Sequence, residues 1–136
     1  MQDRFKFRVW HKKRQKMYDV LHLHTATWEN GGEWVTAKGF NIITQQDIHI
    51  QIESKDGILM QCTGLKDKNG KLIYEGDIVE IMHYKGEKAV VYWDDEKCCF
   101  KLKGKKIAYN ALITIRNDYF EVIGNIYDNQ ELLKED

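Results

Sequence analysis

The chain of 136 residues contains no proline. A Pro-rich linker and every Pro-initiated turn are excluded, so turns must come from Gly, Asn and Asp. These are present at Asn30-Gly31-Gly32, Asp56-Gly57, Asn69-Gly70, Gly76-Asp77, Lys85-Gly86 and Lys103-Gly104. Cysteine is scarce. Cys62, Cys98 and Cys99 are odd in number and two are adjacent, which is no disulfide framework and points to a reducing, cytoplasmic setting. No apolar run approaches the roughly 20 residues that span a bilayer. The basic opening MQDRFKFRVWHKKRQK lacks the apolar segment of a secretory signal. The phosphate-cradling and nucleophile patterns GxGxxG, GxxxxGK[ST] and GxSxG are absent. The expectation is therefore no membrane, no cofactor and no enzyme.

With 43% hydrophobic residues the chain can bury a core of single-domain size. Its apolar period is mostly two, the signal of strands. In RFKFRVW, Phe5, Phe7 and Val9 share one face. In KMYDVLHLH, Tyr18, Val20, His22 and His24 share one side. Ile48, Ile50 and Ile52 alternate in QQDIHIQIES, and Trp28 and Trp34 flank a turn at Asn30-Gly31-Gly32. GILMQCTGL, DIVEIMHY, KAVVYWDD, KCCFKLKG and YFEVIGNIYD read as further strands. Asn110 to Ile115 is a weak helical stretch, and Asp128-Asn129 before QELLKED reads as an N-capped final helix. Many short strands with short turns predict a mainly β chain, with the span from Ile73 to Asp128 suiting one small barrel of about five strands.

Charge is balanced overall but not along the chain. Residues 1 to 20 hold seven Lys/Arg against two Asp, and the remainder carries the opposite surplus. A basic arm can meet phosphates or an acidic partner; it can also be a solvated strand edge that resists edge-to-edge pairing. Arg8, Trp10, Lys12, Lys13 and Arg14 are the candidate residues for contact with a partner or with nucleic acid. The pair His22 and His24 could share a metal, but sites need about three or four protein ligands and only Glu29 and Glu33 lie near in sequence. No metal site is expected. Cys98 and Cys99, as neighbours on a strand, would point to opposite faces, one into the core and one outside. The carboxylates of Asp94-Asp95-Glu96 and Glu75-Gly76-Asp77 fit turns, where Asp bonds local backbone N–H groups.

The segment TGLKDKNGKLIYEGDIVEI, Thr63 to Ile81, reads as scaffold. Asn69-Gly70 predicts a two-residue type I′ turn, and Gly76-Asp77 a tight approach with a carboxylate on backbone N–H groups. Extended to LMQCTGLKDKNGKLIYEGDIVEI, the segment resembles the hallmark of the YopX family, small proteins of bacteriophages and prophages. RVWHKKRQKMYDV resembles the opening motif of that family and YFEVIGNIYDNQELL its closing motif. His11 departs from the Asp that the family typically has after the Trp, and residues 25 to 56 do not resemble the family pattern strongly. The resemblance implies an SH3-like small β-barrel in the C-terminal half, with an N-terminal β-region packed on it and a short C-terminal helix. The expected division is 1–62 and 63–136, the two parts making one compact unit. It also implies a protein working inside a bacterial host cell, and it does not imply a reaction. The expected function is a non-enzymatic accessory protein that self-associates as an interaction module, with a second copy or a phage or host protein as partner. The alternative is a nucleic-acid-binding accessory protein that uses the basic N-terminal strand region.

Overall fold

A computed structural model of the chain describes residues 2–24, 34–82, 86–105, 108–111 and 119–134. Among them are eleven strands: β1 (Phe7–His11), β2 (Lys16–His24), β3 (Trp34–Asn41), β4 (Gln46–Glu53), β5 (Gly57–Lys66), β6 (Leu72–Tyr74), β7 (Asp77–Ile81), β8 (Glu87–Asp94), β9 (Cys99–Gly104), β10 (Ala108–Ala111) and β11 (Phe120–Asn125). Short 3-10 turns lie at Gln2–Phe5, Ser54–Asp56 and Gln130–Leu133. Two units form, one from Lys6–Met60 and one from Met1–Phe5 with Gln61–Asp136. No described helix is long and apolar enough to cross a membrane.

In the unit Lys6–Met60 the strand order is β4-β3-β2-β1 and then the first part of β5. Its core is Val9, Val35, Ala37, Ile50 and Ile52, with Tyr18 and Val20 packed against it. The period-two pattern holds for Ile50 and Ile52 in β4 but fails in β2. Val20 lies opposite Ala37, whereas His22 lies opposite Thr36, so Leu21 is an extra residue in the ladder. A bulge of this kind resets which side chains face the core. Residues directly opposite share a face, so Tyr18 and Val20 belong to the core face while His22 and His24 turn to the other. The expectation that all four share one side is corrected by this one residue. A second correction concerns β1. Phe5 precedes the strand in a 3-10 turn and is exposed, with the Arg4 guanidinium 4.8 Å from its ring centre.

The unit Met1–Phe5 with Gln61–Asp136 contains the five-stranded antiparallel order β10-β9-β8-β7-β11, and β6 pairs with the second part of β5. Ile73, Val79, Ile81, Ala89, Val91, Leu102 and Phe120 form its core. The described ladders leave β10 and β11 at the two edges of the five-stranded sheet. Asn110 lies in β10, contrary to its helical expectation, and the remainder of that stretch, 112–115, lies outside the described residues.

Asp67 is the centre of the turn after β5. It is 6% exposed. Its Oδ1 accepts the backbone N–H of Asn69 and of Lys71, both at 2.9 Å, and its Oδ2 accepts that of Val122 at 2.9 Å. Burial pushes its carboxyl up, but the N–H groups of Val122, Lys71 and Asn69, with the Lys71 charge, hold it below the ordinary carboxylate range. The turn itself differs from the predicted type I′. Asp67 N–H donates to Lys71 O and Gly70 N–H to Asp67 O, so three residues are enclosed, and of Asn69 and Gly70 only Gly70 is left-handed (φ 82°). A three-residue loop with Gly in that position is a bulged hairpin turn. The Gly76-Asp77 reading holds: Gly76 has φ 84°, and Asp77 Oδ2 accepts Tyr74 N–H at 2.7 Å. At the far end Asn129 does not cap the last 3-10 turn through its side chain. Its Oδ1 accepts the N–H of Asn125 at 3.2 Å, within the preceding turn.

Candidate interaction surface

Three hairpins share one loop design. β1–β2, β3–β4 and β8–β9 close on the pairs His11↔Lys16, Asn41↔Gln46 and Asp94↔Cys99, each enclosing four residues. In each loop the fourth residue is left-handed without being glycine: Gln15 (φ 53°), Gln45 (φ 56°) and Cys98 (φ 52°). In each, the side chain of the residue before the loop accepts backbone N–H groups inside it. His11 Nδ1 takes Arg14 N–H at 3.2 Å. Asn41 Oδ1 takes Ile43 and Thr44 N–H at 2.9 and 3.2 Å. Asp94 Oδ1 takes Glu96 and Lys97 N–H at 2.9 and 3.1 Å. Asn and Asp do this in Asx turns; the imidazole nitrogen of His11 does the same here, which gives that departure from the family pattern a polar role.

The loops differ in what they expose. The first two positions are Lys12 and Lys13 in one loop and Asp95 and Glu96 in another, and all four are exposed. In the third they are Ile42 and Ile43, 80% and 90% exposed, beside Phe40 at 58%. Charged residues occupy the same two positions in the sister loops, so the backbone does not require isoleucine there. The apolar tip continues along β4 to Ile48, 37% exposed, which leans over Gly39: a Cβ on Gly39 would lie 3.1 Å from Ile48 Cγ1. β4 is at the end of its sheet order. It contains neither Lys nor Arg, the residues that commonly blunt such an edge.

The sequence-predicted site residues divide. Lys12, Lys13 and Arg14 form the exposed basic tip of the β1–β2 hairpin. Arg8 is half-buried in β1, opposite Asp19, and Trp10 is 5% exposed. Trp10 therefore adds no stacking surface to the basic tip; Trp28 lies outside the described residues. His22 and His24 have ring centres 6.4 Å apart, and among the described residues no third potential ligand joins them. Cys98 is exposed in its loop and Cys99 half-buried, so neither is the core residue expected. Asp94 does serve its turn. It also accepts a hydrogen bond from Lys101 Nζ at 2.7 Å, which is the main reason its carboxyl is held low and the Lys101 ammonium is held high. Ile42 and Ile43 were missed because two isoleucines between polar residues match neither period; only the likeness of three loops sets them apart.

Two antiparallel β units, one of them with an exposed apolar hairpin tip, define a mainly β protein. The chain belongs to the YopX family: the family model described as YopX protein matches residues 6–134. Among solved structures it is similar to protein EF1440 from Enterococcus faecalis, with 24% identity, a TM-score of 0.63, and coverage of 94% of this chain and 96% of that one. It is also similar to protein YopX from Bacillus subtilis, with 25% identity, a TM-score of 0.57, and coverage of 96% and 97%. No curated protein matches the sequence.

Proposed function

We propose that this chain is a non-enzymatic interaction module that associates with copies of itself. One observation carries the reading: of three hairpin loops built alike, one bears Ile42 and Ile43 where the others bear charge. Full burial of an isoleucine side chain contributes roughly 1.5–3 kcal/mol, so an unforced exposed pair is best accounted for by a partner that covers it. The same proposal includes the five-stranded sheet as an SH3-like barrel, a phage or prophage origin, work in the host cytoplasm, and a phage or host protein as a further partner. Sedimentation across a concentration series tests the core of it. The wild type is expected to self-associate, and Ile42→Asp with Ile43→Asp to remain monomeric, with the β-sheet circular dichroism and cooperative unfolding of a folded chain. A wild type that stays monomeric at the highest attainable concentration refutes self-association.

A second reading rests on the exposed basic tip. Lys12, Lys13 and Arg14 could contact phosphates of a nucleic acid, with an affinity that falls steeply as salt rises. The buried Trp10 counts against a stacking groove at that place.

A further inference from the structure

From the proposed self-association we infer its geometry: two copies pair antiparallel through β4, centred on Ile48, with the Ile42-Ile43 tip of each copy set at an apolar groove of the other. This inference rests on the reading of the chain as a self-associating module.

The sequence of β4 selects the register. A continuous sheet across a two-fold axis pairs residues of the same face. Centring on His49 sets two imidazoles against each other. Centring on Ile50 sets Asp47 against Glu53 of the second copy, twice. Centring on Ile48 sets Asp47 against His49, twice, and places Ile48 against Ile48. Centring on Gln51 also sets imidazole against carboxylate, His49 with Glu53, but leaves Ile48 outside the ladder. Ile50 and Ile52 are already buried within the chain, and Ile48 is the β4 isoleucine left exposed. The Ile48-centred register thus covers the remaining apolar side chain and sets no carboxylate against another.

The same register decides where the tip falls. With Ile48 on the axis the ladder runs from Gln46 to Ile50, so the turn that carries Ile42 and Ile43 lies just beyond it, beside the stretch Gln51 to Glu53 of the second copy. Ile52, Glu53 and Ser54 line a groove of about 310 Å³ whose remaining walls include Val9, Leu23 and Val35. An exposed apolar tip and an apolar groove on one unit, brought together twice by one axis, make a closed isologous contact. Glu53 is ion-paired with Lys55 at 3.2 Å, so the rim is not an unpaired carboxylate facing isoleucine.

Single cysteines test the register. Ile48→Cys, His49→Cys and Gln51→Cys are made separately in a Cys98→Ser, Cys99→Ser background, all at exposed positions, and treated with oxidised glutathione. Side chains directly opposite across a ladder come within about 5 Å between Cβ atoms, near disulfide reach. Ile48→Cys is expected to give a covalent dimer several-fold more efficiently than His49→Cys or Gln51→Cys. Faster cross-linking at His49 or Gln51 overturns the register and leaves self-association intact. No cross-link at any position in protein that sediments as an oligomer overturns pairing through β4. A monomeric wild type removes both this inference and the reading beneath it.

Discussion

Replacing Asp67 by Asn keeps the shape of the side chain and removes one acceptor. The carboxylate has three backbone donors and is almost fully buried. With the amide oxygen left on Asn69 and Lys71, the new NH₂ group meets the N–H of Val122, donor against donor. One hydrogen bond to a charged acceptor, worth about 1.5–3 kcal/mol, is lost and two others weaken to neutral ones near 1 kcal/mol. Relief from burying a charge offsets part of this. The expected net loss is about 2–3 kcal/mol, or about 10 °C in Tm for a chain of this length. Urea titration at neutral pH should lower the midpoint with the slope preserved. The pH dependence gives a second readout. The folded-state affinity of Asp67 for protons is depressed, so its contribution is fully present above the unfolded carboxyl pKa of about 3.9 and is lost as pH falls through the lower folded value. The gap between wild type and variant should stay level above about pH 5 and close on acidification. A difference below about 0.5 kcal/mol at neutral pH, within the range of ordinary surface substitutions, would refute the account of Asp67 as the tie between the β5–β6 turn and β11.

Gly124→Ala would place a Cβ 2.5 Å from Asn129 Oδ1 and 2.6 Å from its Cγ. Displacing that amide strains the turn after β11, and unfolding experiments should show a loss of about 1–3 kcal/mol. Replacing Lys12, Lys13 and Arg14 together by Ala should leave stability within about 0.5 kcal/mol. In gel shifts at low salt, the same triple substitution should abolish any binding to DNA or RNA; binding that survives it would place the contact elsewhere.

Much of the sheet structure was legible because a half-buried strand writes its own period. Ile50 and Ile52 point inward as their spacing requires, and Asp94 serves the turn that its type predicts. What failed failed locally. One extra residue at Leu21 turned His22 and His24 away from the face of Tyr18 and Val20, and no period announces a bulge. Asn69-Gly70 pointed to a turn but not to its length, because the length is fixed by Asp67. That carboxylate bonds Val122, fifty-five positions away, which no local pattern contains. Of the basic candidates Lys12, Lys13 and Arg14 are exposed and Arg8 is half-buried, and in β1 both Val9 and Trp10 are buried, so alternation alone cannot tell which side chains meet water.

The chain leaves one unit at Phe5 and returns to it at Gln61. At the crossing, Gln61 Nε2 donates to the carbonyl of Arg4 at 2.8 Å, clasping exit to re-entry. In topological terms the segment Lys6–Met60 is an insertion, a folded guest in a host whose two ends are already joined. The entropy of closing such an excursion grows only slowly with its length. Its hairpins, the one with the apolar tip among them, can therefore be lengthened or shortened with little entropic cost to the closure of the host.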